Sequence, residues 1–146
     1  MTLDNLLKIG QLKAHSTSRA EIEQLMHAAQ QSLMDARQKN ISAETRFDAA
    51  YRAVMQLALV ALMAHGFRPD TKKPGHHVTM IQSLPKTVGL ENDRMVLLDT
   101  LRHKRNLTDY TGACVDDAAV AACIEQGQRL TEEVRAWLEK NRPDLV

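Results

Sequence analysis

The segment from Ser42 to about His65 constrains the fold of this chain more than any other. Its apolar side chains do not form a single stripe, because Phe47 and Leu57 lie on one side of a helix while Met55 and Val60 fill much of the rest. A helix that is apolar on nearly all sides is buried on nearly all sides. We therefore predict that this segment is either the central helix of a bundle or one side of a subunit interface.

Amphipathic helical patterns account for most of the remaining chain, and no stretch is a convincing strand. Ser18 followed by Glu21 has the capping-box pattern, and Gly112 is a stop signal. Pro85 is expected to bend or end the helix that contains it. The predicted helices run from Thr2 to His15, from Ser18 to about Gln38, from Ser42 to about His65, from about His76 to Val88, from Asn92 to near Gly112, and from Asp116, as cap, through Leu138.

The predicted helices are joined by short connections. The longest, from Gly66 to Gly75, has two prolines and several charged residues and is expected to be a solvated loop. A chain of 146 residues with 44% hydrophobic and 25% charged residues is typical of one globular domain. We expect residues 1–146 to form a single all-α domain, an antiparallel bundle of four to six helices.

Charge and hydrophobicity restrict where the chain acts and what it binds. The net charge is +1, so any contact with nucleic acid has to come from a local cluster of Lys and Arg. The first 16 residues are too polar for a secretory signal. The longest apolar run, Leu57 to Ala64, falls short of the roughly 20 residues of a membrane span. We expect a cytoplasmic protein that makes no membrane contact.

The chain has no pattern typical of a metal or cofactor site. Cys114 and Cys123 are expected to be reduced thiols in that compartment. The adjacent His76 and His77 would point about 100° apart on a helix, so we interpret them as residues of a helix start rather than as ligands of one metal. The other histidines are scattered, and glycine-rich phosphate loops are absent. No cofactor is expected.

The polar side chains of residues 101–110 are the ones whose presence in this chain most needs a functional explanation. On a helix they form two neighbouring stripes. One stripe has Arg102, Arg105 and Asp109, and the other has His103, Asn106 and Tyr110. The planar forks of two arginines suit a phosphate, and Asn106 is placed to orient a ribose hydroxyl or a phosphate oxygen. We predict a ligand-binding site here.

A structural interpretation of the same segment stays open. Arg105 pairs with Asp109 at the i, i+4 spacing, and Tyr110 packs with its hydroxyl group on a backbone carbonyl. Exposed pairs of this kind contribute little to stability and need no ligand to explain them.

The order of these features resembles that of HEPN (higher eukaryotes and prokaryotes nucleotide-binding) proteins over roughly residues 20 to 140. An apolar helix from Phe47 to Leu62 is followed by a glycine-containing loop, by His76-His77, by a further helix, and by Arg105-Asn106 near a helix end. The family's nuclease motif is an arginine, usually followed by a polar residue, and a histidine four to six positions later. Here Tyr110 occupies the first position permitted for that histidine, and no histidine follows His103.

The resemblance implies a homodimer. In active members it implies metal-independent cleavage of RNA at a site across the dimer cleft, where the ribose 2′-hydroxyl attacks the adjacent phosphate. The corresponding catalytic residues here are Arg105 and Tyr110. A phenol has an ordinary pKa near 10, against about 6.5 for an imidazole, so Tyr110 is a poor base that at best donates a proton or a hydrogen bond. His103 is displaced along the helix by about 10 Å and is a poor substitute.

Three functions follow from these observations. The first is a HEPN-like module, non-catalytic or weakly active, that dimerises and binds a nucleotide, RNA or a partner protein through the surface of Arg102, Arg105, Asn106 and Tyr110. The second is a ribonuclease of a toxin–antitoxin or phage-defence system, with an antitoxin or a nucleotidyltransferase as partner. The third is a purely structural bundle, which would be indicated if Arg102 and Arg105 are buried against acids such as Asp99 and Asp109.

Overall fold

The helix over Ala43–Ala64 lies at the centre of an all-α bundle in the computed structural model, which describes residues 1–146. One cluster of 33 buried residues forms the core. The all-α helical-bundle prediction is confirmed. The elements are α1 (Leu3–Lys8), β1 (Leu12–Ala14), α2 (Arg19–Ala36), α3 (Ala43–Ala64), β2 (Phe67–Pro69), α4 (His76–Thr87), α5 (Asn92–Thr111), α6 (Asp117–Asn141) and a 3-10 turn (Pro143–Leu145).

Local capping signals set most of the helix boundaries. The side chains of Ser18, Ser42 and Asp116 accept hydrogen bonds from backbone N–H groups three residues later, at the starts of α2, α3 and α6. Gly112 ends α5 in the left-handed conformation, with φ of +69°. Pro85 lies inside α4, which ends two residues later at Thr87.

Contacts within a single chain explain why α3 is apolar on nearly all its sides. Its side chains pack against α2, α4 and α6, and Leu57, Val60 and Leu62 are fully buried. Of the two alternatives that the sequence leaves open, α3 is therefore the central helix. Its apolar surface does not by itself require a second subunit.

By length and composition alone, α3 is also apolar enough to cross a membrane. Its most apolar 18-residue stretch has a mean hydropathy of 1.4. However, 78% of that stretch is buried inside the bundle, and the core helix of a soluble protein has the same property.

Two predictions for the first half of the chain are wrong. The first helix ends at Lys8 instead of His15, because Gly10 turns the chain with φ of +80°. The next residues form β1, which pairs antiparallel with β2 inside the segment predicted to be a loop. Leu12 lies opposite Pro69 and is buried in the core. Strands of three residues have no detectable periodicity, so their pairing comes from tertiary contact.

A buried arginine joins α5 to α6. Arg94 is 8% exposed; its Nε donates to Oε1 of Gln126 at 2.9 Å, and its Nη1 donates to Oε1 of Glu133 at 2.6 Å. The carboxylate compensates a charge that is costly to remove from water. This contact fixes the first half of α5 against the bundle.

Gly127 lies in the middle of α6, where a glycine weakens a helix. A Cβ atom at this position would lie 2.7 Å from Cδ2 of Leu33, a fully buried side chain of α2. The absence of a side chain therefore allows α6 to approach α2 closely.

Replacing Gly127→Ala is expected to destabilise the protein by about 1 to 2 kcal/mol, because overpacking outweighs the gain in helix propensity. Chemical denaturation measures this change. In the Leu33→Ala background the same substitution should become neutral or stabilising, since the clash is gone. A stabilising effect of Gly127→Ala in the otherwise unchanged chain would contradict the proposed close approach.

Candidate functional site

The inner side of α5 changes from apolar to charged about halfway along the helix. Leu98 and Leu101 belong to the buried core, whereas Arg102 and Arg105, further along, are half-buried. The predicted stripe of Arg102, Arg105 and Asp109 therefore begins where the core ends.

Arg105 lies over the ring of Tyr51, a buried residue of α3. Its Cζ atom is 5.2 Å from the ring centroid, within the range of a cation–π contact. Two carboxylates flank it: Asp48 Oδ1 is 3.7 Å from Nε and Asp109 Oδ2 is 3.6 Å from Nη2. Both distances exceed those of a hydrogen bond. The side chain of Arg105 is 31% exposed, and its guanidinium is thus oriented by an aromatic ring but has unused donors.

Arg102 is held much more tightly than Arg105. Its Nε donates to Oδ1 of Asp99 at 2.8 Å, and its side chain is 15% exposed. Its Nη2 lies 3.1 Å from Nε2 of His103, which in turn lies 3.4 Å from Oδ2 of Asp99. The pairing of Arg102 with an acid is what the structural interpretation of this segment predicts. Arg102 stabilises α5 and has fewer donors left for a ligand.

The second predicted stripe does not join Arg105 at the ring of Tyr51. Tyr110 is 86% exposed and makes no hydrogen bond, and the side chain of Asn106 is half-buried without a hydrogen bond. His103 is exposed and interacts with Asp99 and Arg102. The structure thus brings Arg105 together with Asp109, and Arg102 with His103, but leaves Tyr110 in solvent.

Sequence reasoning missed three residues of this site, Asp48, Tyr51 and His77. The hydroxyl group of Tyr51 is hydrogen-bonded to Nδ1 of His77 at 3.1 Å, and the two ring centroids are 5.8 Å apart. His76 packs edge-on against His77 at 4.6 Å. Both histidines do lie in the first turn of α4, as predicted. The available signal was a buried tyrosine in an apolar helix, since its hydroxyl group needs a partner.

Burial disfavours the charged forms of both members of the Tyr51–His77 pair. Burial, followed by the charges of His76, Arg105 and Arg102, lowers the pKa of His77 from 6.5 to about 4. Burial also raises the pKa of Tyr51 to about 12. Burial and the nearby Asp109 carboxylate raise the pKa of Asp48.

We refer to Arg105, Tyr51, His77, Asp48 and Asp109 as the Arg105 cluster. It offers a guanidinium with unused donors and a neutral imidazole, both in contact with the ring of Tyr51, which suits an anionic, hydrogen-bonding ligand. A histidine with a pKa near 4 is a weak base, and efficient acid–base catalysis requires a pKa nearer the working pH. No group of three or more His, Cys, Asp or Glu residues is placed to hold a metal ion.

Comparison with known proteins assigns no family to the chain. No protein-family model matches it, and no curated protein matches it. The resemblance to HEPN proteins therefore rests on the residue order alone, whereas the geometry of the Arg105 cluster is independent of it.

The titration of His77 leads to a prediction about stability. The unfolded chain takes up a proton at His77 near pH 6.5 and the folded chain only near pH 4. Stability is therefore lost as the pH falls through this range. The His77→Gln variant keeps a polar partner for Tyr51 but does not titrate, so its melting temperature should fall less between pH 7 and pH 4.5.

The exposed His27 on α2 provides the matched control. His27→Gln should retain the pH dependence of the unsubstituted protein in thermal melts followed by circular dichroism. An identical pH dependence in His77→Gln would show that this histidine titrates normally.

Proposed function

We propose that the chain is a HEPN-like helical module that binds RNA or a nucleotide through the Arg105 cluster and cleaves it weakly or not at all. The observation that carries this proposal is the state of Arg105. It is half-buried and oriented by the ring of Tyr51, yet none of its N–H groups makes a hydrogen bond. A phosphate accepts paired hydrogen bonds from such a fork.

A phosphate at Arg105 has to compete with two carboxylates. Neither Asp48 nor Asp109 is within hydrogen-bond distance of the guanidinium. Burial and the nearby Asp109 carboxylate raise the pKa of Asp48, so these effects outweigh the attraction of Arg105 for this carboxylate. Loosely held acids of this kind balance the charge of Arg105 in the free protein and leave its donors available to a ligand.

The same geometry favours binding over cleavage. Tyr110, in the position of the family's histidine, points into solvent and lies outside the Arg105 cluster. Ribonuclease activity is the second candidate function, and the observation in its favour is His77, an imidazole contributed by α4 instead of α5. Its low pKa predicts weak activity at neutral pH. A toxin–antitoxin or phage-defence role, with an antitoxin or nucleotidyltransferase partner, would accompany that activity.

We also propose a homodimer, through α5 instead of α3. Exposed side chains follow the outer side of α5 at spacings of four and three residues, the pattern of a helix–helix seam. The stripe has Val96, Thr100, His103, Leu107 and Tyr110, of which Val96, Leu107 and Tyr110 are 52%, 58% and 86% exposed. Its apolar members gain most from being covered by a second copy.

Light scattering tests the dimer. The unsubstituted protein should have twice the 16.4 kDa mass of the chain at micromolar concentration, and Leu107→Glu should be monomeric because it places a charge in the seam. Ile41→Glu, at another exposed apolar position, should stay dimeric. A monomeric unsubstituted protein would show that the α5 stripe is not a dimer interface.

Fluorescence anisotropy with a labelled single-stranded RNA tests the binding function. Arg105→Met should weaken binding by about tenfold or more, since charged hydrogen bonds to phosphate are lost. Its melting temperature should hardly change, because the arginine makes no hydrogen bond in the free protein. Arg129→Met, at an exposed arginine of α6, is the matched control and should bind normally.

The same proteins, incubated with RNA and a chelator, separate the candidate functions. The proposed module leaves the RNA intact or cleaves it slowly. Rapid cleavage that is lost in His77→Gln would establish the ribonuclease. Absence of RNA binding together with a large loss of stability in Arg105→Met would support the structural bundle instead.

A further inference from the structure

His77 is shared between the Arg105 cluster and a cavity of about 340 Å³ beside the start of α4. The apolar part of its wall comes mainly from Leu59, Met63 and Met80, and its polar part includes Arg68, His76 and His77. No acidic residue lines it. A volume near 300 Å³ is at the lower end of the range for small-molecule sites.

Arg68 is the second unusual arginine of this region. It lies on β2, opposite Lys13 of β1, and is half-buried without a hydrogen bond or ion pair. Arg68 and Arg105 are the only two half-buried arginines of the chain that make no hydrogen bond. Guanidinium donors that no protein acceptor occupies remain available to a ligand with acceptor atoms.

The Tyr51–His77 pair connects Arg105 to the cavity that Arg68 lines. The guanidinium of Arg105 is 5.2 Å from the Tyr51 centroid, and that centroid is 5.8 Å from the His77 centroid. These two distances place the guanidinium within about 11 Å of an imidazole in the cavity wall. Consecutive groups of one RNA strand can therefore reach both Arg105 and the cavity.

We propose that this cavity holds one nucleobase of the single-stranded RNA whose phosphate lies on Arg105. The apolar wall removes a flat base from water, and an imidazole of His76 or His77 provides a ring for stacking. The fork of Arg68 matches an acceptor-rich base edge, such as O6 and N7 of guanine. This inference rests on the proposed RNA-binding function and assigns it a base-binding subsite.

The test compares two fluorescein-labelled hexamers of equal charge, a single-stranded RNA that contains guanosine and an abasic ribose-phosphate chain. The full-length protein should bind the RNA about tenfold more tightly than the abasic chain, as expected for one buried base. Leu59→Trp, which fills the cavity, and Arg68→Met should each remove this preference without weakening the binding of the abasic chain.

The matched controls introduce the same types of change, a new tryptophan and an arginine replaced by methionine, at exposed positions elsewhere in the chain. Met34→Trp on α2 and Arg135→Met on α6 should keep the preference for the RNA hexamer. Arg105→Met should weaken the binding of both hexamers, because it removes the phosphate contact that they share. Arg68→Met leaves the cavity unfilled, so it tests the subsite even if Leu59→Trp fails to fold.

The outcomes separate the two proposals. Equal affinity of the unsubstituted protein for the two hexamers, with loss of both in Arg105→Met, would overturn the base subsite and leave the RNA-binding function intact. A preference that persists in Arg68→Met and Leu59→Trp would likewise overturn the subsite. Absence of binding to either hexamer would overturn both proposals.

Discussion

The burial of α3 on all its sides is the constraint on which the rest of the structure depends. An apolar helix of 22 residues has to be covered, and α2, α4 and α6 cover it within one chain. Close packing is needed for that coverage, and Gly127 provides it where α6 approaches Leu33 of α2. The consequence is that α3 is covered within one chain, so the homodimer proposed here uses the outer side of α5 instead.

The Arg105 cluster arises where this apolar core ends. Tyr51 is buried among the residues of α3, and its hydroxyl group obtains a partner from His77 of α4. The same ring then forms the base on which Arg105 of α5 lies. Three helices thus meet at one aromatic side chain, which is hydrogen-bonded to an imidazole and lies under a guanidinium.

Arg102 and Arg105, the two arginines of the predicted stripe, differ in the distance to their acidic partners as well as in their exposure. Arg102 donates to Asp99 within hydrogen-bond distance, whereas both carboxylates near Arg105 are more distant. A chain with a net charge of +1 has no strong overall field to attract RNA, so the proposed affinity for RNA has to come from such individual groups. This is why the proposals depend on the unused donors of Arg105 and Arg68.

The sequence by itself determined the helical class, most helix boundaries and the arginine stripe of α5, because caps such as Ser18 and Asp116 and the helical period act within a few neighbouring residues. Only the tertiary structure decided that α3 is enclosed in one chain, that Leu12 pairs with Pro69, and that Tyr51 meets His77. The last two contacts join residues 57 and 26 positions apart, which no local pattern specifies. The surroundings of Arg105 also depend on tertiary structure, since Asp48 and Tyr51 belong to α3. Arg102, in contrast, pairs with Asp99 on its own helix.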